Sequence, residues 1–372
     1  MPKTIDVKNL ARKCIMDSYT YVAGKPIEEV KRELGLTEVI KLASNENPLG
    51  PSPKAVEAII KNIDKINQYP DDHNYNLKKK LAEFHACGEE NLVIGNGSTQ
   101  LFELICKTFI CEGDEMIVAA PTFRVFDSLV KTAGGKLKTL PLTIDYTHDW
   151  DAMAKACGDK TKITIFVNPN NPTGTYSPKT DILNFLKSVP ANTIVILDEA
   201  YIDFMEEDAY NSVEFLKDYP NLIISRSFSK IMGLAGLRIG YLITSKEIAA
   251  LIEKARMPFT VNLLAQIAAE ASLLDDEFKK KSVKLVAEGR RNLYKFLESL
   301  NIKYLPSQAN FVAIKLPDGI DDLEFFKEML KEGVIILAGK NMLMPGFIRV
   351  SIGTPEHMNR FYKAFEKVTK KS

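Results

Sequence analysis

Between about Leu92 and Thr244, short apolar runs rich in β-branched residues alternate with segments of helical period. The runs are Leu92–Ile94, Glu115–Ala119, Ile163–Val167, Thr193–Leu197, Leu222–Ser225 and Ile239–Ile243, and helices are expected at Ser98–Ile110, Arg124–Thr132 and Pro178–Ser188. A strand that is apolar at every position has no face for water, and strands joined through helices pair in parallel. The pattern therefore predicts an α/β fold whose large domain holds a mostly parallel sheet buried on both faces. Sheets of this kind bind ligands outside the carboxyl ends of their strands. Several turns with chemical content lie at those ends.

Beyond Lys246 the pattern changes. Glu277 to Leu300 reads as one long amphipathic helix with Val286, Leu293, Leu297 and Leu300 near one face. Short strands at Asn310–Ile314, Val334–Leu337 and Ile348–Ile352 then interleave with helices at Leu323–Lys331 and Glu356–Val368, which makes a smaller α+β domain. The 372 residues exceed one average domain, and about 150 residues per domain gives two. The expected division is an N-terminal arm, residues 1–40, that packs with the small domain, a large domain, residues 41–250, and a small C-terminal domain, residues 251–372.

A formal net charge of +1 gives no long-range attraction to nucleic acid or to an anionic membrane. No apolar run approaches the ~20 residues of a membrane span, and Met1 to Met16 mixes charge throughout, without a signal-peptide core. The five cysteines are odd in number and form no Cys-x-x-Cys pair, so they read as reduced thiols of a cytoplasmic protein. Four scattered histidines argue against a zinc site, and no metal is expected.

Five local patterns carry chemistry. Gly95-Asn96-Gly97-Ser98-Thr99-Gln100 follows a strand and opens a helix, so its N–H groups suit an anion, although an ordinary turn capped by Ser98 reads the same way. Asn168-Pro169-Asn170-Asn171-Pro172-Thr173-Gly174 is a proline-fixed loop whose amides can bond a phenolate oxygen, or else a rigid corner. Asp198-Glu199-Ala200-Tyr201 places a carboxylate at a buried strand end, where it needs a partner; a pyridinium N–H would serve, and a helix cap is the plainer alternative. Arg349 is a charge inside an apolar strand, fit for two-pronged capture of a carboxylate or phosphate, or for a structural salt bridge. Ser225-Arg226-Ser227-Phe228-Ser229-Lys230, followed by Gly233 to Gly240 with Arg238, gathers hydroxyls, a guanidinium and an amine on one turn. Most lysines are solvated surface charges. An amine beside phosphate-binding donors is nonetheless what a Schiff base to pyridoxal 5′-phosphate (PLP) requires, because positive neighbours and partial burial lower its pKa.

Taken in order, Gly-Asn-Gly-Ser, Pro121-Thr122-Phe123, Asn-Asn-Pro-Thr-Gly, Asp-Glu-Ala-Tyr, Ser-x-Ser-Lys and Ile-Arg-Val resemble the class I/II aminotransferases, PLP-dependent enzymes of fold type I. Gly24-Lys25-Pro26-Ile27-Glu28-Glu29-Val30 and Ile40-Lys41-Leu42-Ala43-Ser44-Asn45-Glu46-Asn47-Pro48 narrow the resemblance to the histidinol-phosphate aminotransferase branch, over essentially the whole chain. The resemblance implies that Lys230 bonds the cofactor and later moves the substrate α-proton. It implies that Asp198 pairs with the pyridine nitrogen, Asn171 and Tyr201 hold the ring oxygen, and Phe123 stacks on the ring. Gly97, Ser98, Thr99, Ser227, Ser229 and Arg238 fall to the phosphate, joined by Tyr69 of a partner subunit in a homodimer. Tyr21, Asn45, Arg349 and Arg360 fall to the substrate.

The implied activity is ping-pong transfer of an amino group between glutamate/2-oxoglutarate and a small phosphorylated substrate, either histidinol phosphate/imidazole acetol phosphate or a smaller phosphorylated ketone. Two features depart from the branch. Thr99-Gln100 replaces an Asp-Glu pair, as in phospho-amino-acid decarboxylases of the same fold, and Leu337-Ala338 stands where an arginine is common. Decarboxylation and transamination of aromatic amino acids are therefore the alternatives. A PLP-fold regulatory protein without turnover is disfavoured, because every catalytic position is filled.

Overall fold

The computed structural model describes residues 6–16, 18, 24–206 and 208–370. A two-residue strand, β1 (Ile40–Lys41), precedes seven strands that form the central sheet: β2 (Leu92–Gly95), β3 (Glu115–Ala120), β4 (Lys136–Pro141), β5 (Thr161–Val167), β6 (Ile194–Asp198), β7 (Leu222–Ser227) and β8 (Gly240–Thr244). Their order is β2-β8-β7-β6-β5-β3-β4. Only β8 runs against its neighbours; the other pairings are parallel. Strand side chains alternate between faces. Leu92, Ile94, Phe166, Val195, Leu197, Leu222 and Ile224 accordingly enter one core, while Val93, Val118, Ile165, Ile196, Ile223 and Leu242 enter another across the sheet. Edge strand β4 escaped the sequence reading because its side chains are mostly exposed or half-exposed, leaving no apolar run to see.

The C-terminal part holds β9 (Tyr304–Leu305), β10 (Phe311–Lys315), β11 (Val334–Ile335), β12 (Leu337–Ala338) and β13 (Phe347–Ser351). Four of them make an antiparallel sheet, β12-β13-β10-β9, and β11 pairs in parallel with β1. The single strand expected at Val334–Leu337 is thus two short ones in different sheets. The Ile27–Leu34 helix buries Val30 against Leu330 and Ile335, so this segment of the arm packs on the C-terminal part. The expectation for the whole arm is corrected in part, because the Lys13–Met16 helix lies against the Val125–Thr132 helix of the larger unit. The long Asp276–Ser299 helix buries Val286, Leu293 and Leu297, whereas Leu300 follows its end and is exposed. The Lys246–Ala255 helix sends Ile248, Ala249 and Ile252 into the core of the large sheet, so packing of the larger unit continues past residue 250. No helix among the described residues is long and apolar enough to cross a membrane.

Candidate active site

One cavity opens at the carboxyl ends of the parallel strands. Its wall includes Asn45, Ser98, Thr99, Phe123, Asn171, Asp198, Tyr201, Ser227, Ser229, Lys230, Arg238 and Arg349. The strand ends explain the convergence. Asp198 closes β6, Ser227 closes β7, Asn171 follows β5, Phe123 follows β3, and Ser98 and Thr99 open the helix after β2.

Lys230 Nζ donates to the Ser44 carbonyl at 3.0 Å and stands 5.7 Å from the centre of the Tyr201 ring. Burial, with the Arg349 charge second, pulls its pKa down to about 8, so a sizeable fraction of this amine is neutral and nucleophilic near neutral pH. Asp198 is 4 % exposed, and burial raises its carboxyl to about 7. A carboxylate taken out of water this far gains most from a cationic donor.

An anion cradle lies on the same wall. The Gly97–Phe109 helix begins with Asn96 as its cap residue, and that side chain makes no capping hydrogen bond, so the first-turn N–H groups keep their pull on an anion. Gly97 has φ 78°, and a Cβ there would collide with the Arg238 guanidinium. The left-handed backbone is the local reason for glycine. Arg238 Nη1 donates to Ser229 Oγ at 3.5 Å and to the Ala235 carbonyl at 3.2 Å. The Ser229 N–H donates to Ser227 Oγ at 3.0 Å.

The opposite wall comes from the small sheet. Arg349 on β13 donates to the Asn171 side-chain oxygen and, at 2.5 Å, to the Ala43 carbonyl. It lies 5.1 Å over the Phe311 ring, whose edge-on neighbour is Tyr201. Asn45, in the left-handed region at φ 55°, donates through Nδ2 to Tyr201 Oη at 3.1 Å. Its backbone is pinned by Ser351 Oγ at 2.9 Å and by Asn310 Nδ2 at 3.0 Å.

Three of the expected residues, Arg360, Tyr69 and Gly97, do not line this cavity. Arg360 is a correction: its guanidinium donates to the Glu38 and Glu332 carbonyls at 2.7 and 3.4 Å and pairs with the Glu38 carboxylate, tying the last helix to the arm instead of facing the cavity. Tyr69 is 82 % exposed and packs on Phe259 with ring centres 4.8 Å apart and planes tilted by 32°, on the outer surface. Tyr21 lies outside the described residues. Gly97 sits behind the wall, against Arg238. The sequence reading also missed wall residues: Thr122, Arg124, Leu337, Asn341 and Met342. Arg124 had a signal, since it directly follows the Pro-Thr-Phe motif. Leu337 had one too, as the position where the branch commonly carries an arginine, whereas Met342 had none, because its place depends on how the two sheets face each other.

The family model for "Aminotransferase class I and II" matches residues 37–365. The chain belongs to the class I and II aminotransferases. It is 44% identical over 359 residues to a histidinol-phosphate aminotransferase of Moorella thermoacetica, covering 96% of this chain and 92% of that one. It is 43% identical to a second such enzyme, from Idiomarina loihiensis, over 94% of both chains. The histidinol-phosphate aminotransferase of Sinorhizobium meliloti, solved in complex with pyridoxal-5′-phosphate, superposes with a TM-score of 0.87 at 28% identity, covering 97% and 98% of the two chains. L-Threonine-O-3-phosphate decarboxylase of Porphyromonas gingivalis, at 24% identity and a TM-score of 0.79, shares the fold.

As a PLP-dependent aminotransferase, the protein presents a donor set that fits the cofactor. Asp198 is a buried acid in want of a cationic donor, Lys230 is an amine of lowered pKa, and the cradle at Gly97 offers helix N–H groups, three hydroxyls beyond Ser98 and a guanidinium.

Proposed function

We propose that this aminotransferase moves an amino group between glutamate/2-oxoglutarate and a small phosphorylated amine or ketone. When bound, PLP supplies the sink for the electrons of the bond that breaks at the substrate α-carbon. Lys230 Nζ would hold the cofactor, and its free amine would take and return the substrate α-proton. Asp198 would pair with the ring nitrogen and favour its protonated form. Tyr201 and Asn171 would hold the ring oxygen, Phe123 would pack against the ring, and Ser98, Thr99, Ser227, Ser229 and Arg238 would hold the phosphate. Arg349 would bind the substrate α-carboxylate or the equivalent acidic group.

The carrying observation is the meeting, in one cavity, of an amine lowered to about 8, a buried acid raised to about 7 and an anion cradle. The phosphorylated substrate is supported by the two relatives above, both named as histidinol-phosphate aminotransferases, and by a wall whose cationic side chains outnumber its acidic ones. kcat/KM should be compared for histidinol phosphate and aromatic amino acids with 2-oxoglutarate as acceptor, and for small phosphorylated ketones with glutamate as donor, with products identified. An unphosphorylated aromatic substrate ahead by more than about tenfold, a difference near 1.4 kcal/mol, would overturn the substrate reading. Carbon dioxide released in step with turnover would favour decarboxylation instead.

A homodimer belongs to the same reading. Ile60, Ile63, Ile66 and Tyr69 are exposed along one segment, with Phe259 against Tyr69 and Met257 beside it in sequence. A run of large apolar side chains facing water marks an association surface, and a second copy of the chain is the proposed occupant. If Tyr69 reaches the partner's phosphate, Tyr69→Phe should lose activity alone. Mixing it with Lys230→Ala chains should restore one intact site per heterodimer. A monomer by light scattering would contradict this arrangement.

A further inference from the structure

Among the described residues, four cationic side chains line the cavity (Lys230, Arg238, Arg349 and Arg124) against one acidic side chain, Asp198. The first three have places in the proposed reaction, and Arg124 has none there. It precedes the Val125–Thr132 helix on the large-sheet side, and its Nη1 lies 3.4 Å from the carbonyl of Asn341, which belongs to the C-terminal part. The guanidinium therefore stands where the two parts of the molecule face each other across the cavity. Its stretch of chain is held from below. Asn170, fully buried, donates to the Pro121 carbonyl at 3.0 Å and accepts from Thr122 Oγ1 at 3.0 Å, which fixes the turn from which Phe123 and Arg124 project.

The facing wall is aliphatic where a cation could have stood. Leu337 on β12 opposes Arg349 on β13 in antiparallel register, so both side chains leave the same face of the sheet. Both line the cavity, followed along the chain by Asn341 and Met342. A substrate whose carboxylate or amine end lies towards Arg349 and Lys230 would run past Leu337 and Met342. At Asn341 it would meet Arg124.

We propose that Arg124 is the specificity residue that receives the remote anionic group of the substrate. That group is the phosphate of the phosphorylated partner and, in the other half-reaction, the side-chain carboxylate of glutamate. A guanidinium suits both, because its planar fork presents paired donors to two oxygens of either group. The inference rests on the transaminase reading above and names the side chain by which a phosphate would be selected.

The test compares histidinol phosphate with histidinol, its unphosphorylated counterpart, in the PLP-loaded enzyme and in Arg124→Gln and Arg124→Lys. The wild type is expected to favour the phosphorylated amine strongly. Arg124→Gln should lose about ten- to a hundredfold in kcat/KM for that substrate, the range of one charge-assisted hydrogen bond, chiefly through KM. Its kcat/KM for histidinol, its cofactor content and its thermal unfolding should stay unchanged, and Arg124→Lys should recover part of the loss. Inhibition by inorganic phosphate should weaken in parallel in Arg124→Gln. A variant that keeps the full preference for phosphate overturns the role of Arg124 and leaves the phosphorylated-substrate reading standing. Equal losses on both substrates would make Arg124 a strut between the two parts and also overturn it. A wild type without preference overturns both readings.

Discussion

Lys230→Ala should remove covalent PLP and turnover together. The loss in kcat is expected to be about a hundred- to ten-thousandfold, the span attributed to a positioned acid–base group, with the missing covalent anchor adding to it. Borohydride reduction of the loaded wild type followed by peptide mapping should place the label on Lys230, and label on another lysine would sink the assignment. The pH dependence has a definite sign. Burial first, and the Arg349 charge after it, lower the amine to about 8. The initial rate of covalent PLP uptake by the cofactor-free chain should therefore climb with pH and reach half its maximum near 8, where an ordinary surface lysine would still be almost fully protonated.

Asp198→Asn should keep PLP but lose about a hundred- to a thousandfold in kcat, comparable to removing one preorganised charge-stabilising group from an active site. The same substitution carries a stability signature that activity assays miss. Without cofactor, the buried carboxyl is raised from 3.8 to about 7. A raised pKa in the folded chain contributes stability that is fully present below the unfolded value and is lost as pH rises through the folded one. The cofactor-free wild type should thus weaken as pH rises from about 4 to about 7 and level off above that, while cofactor-free Asp198→Asn, with no charge to bury there, should weaken less over the same window. Thermal unfolding across that interval decides it. A wild type and variant with parallel curves would mean that Asp198 is solvated or already paired.

Much of this architecture was legible because burial writes itself into composition. Strands β2, β3, β5, β6 and β7 are apolar almost throughout and were found with ends close to those observed. Strand β4 was not found, since an edge strand with exposed side chains has no reason to be apolar. The reversed direction of β8 was equally hidden, because the direction of a strand depends on its connection and not on its residues. For the candidate site, the motifs led to residues that do converge on one cavity. Arg349 stood out as a charge in a buried strand. Arg360 could not be judged the same way. It lies on an amphipathic helix whose polar positions are ordinary, and only the fold reveals that its face meets the carbonyls of Glu38 and Glu332. Asn310 and Ser351, which hold Asn45 in place, look like any other polar residues until the sheets are assembled.

Three consecutive residues give this pocket a shared point of release. The Ala43 carbonyl accepts from Arg349, the Ser44 carbonyl accepts from Lys230, and the Asn45 amide donates to Tyr201. Each working group thus already has a protein partner on one short ribbon, and each must exchange it when an incoming molecule arrives. A hydrogen bond made by exchanging one partner for another is worth only about 0.5–1.5 kcal/mol net. The ribbon therefore blunts the grip on whatever enters. An enzyme that must empty and refill the same cavity twice in every cycle turns over faster for holding its guests lightly.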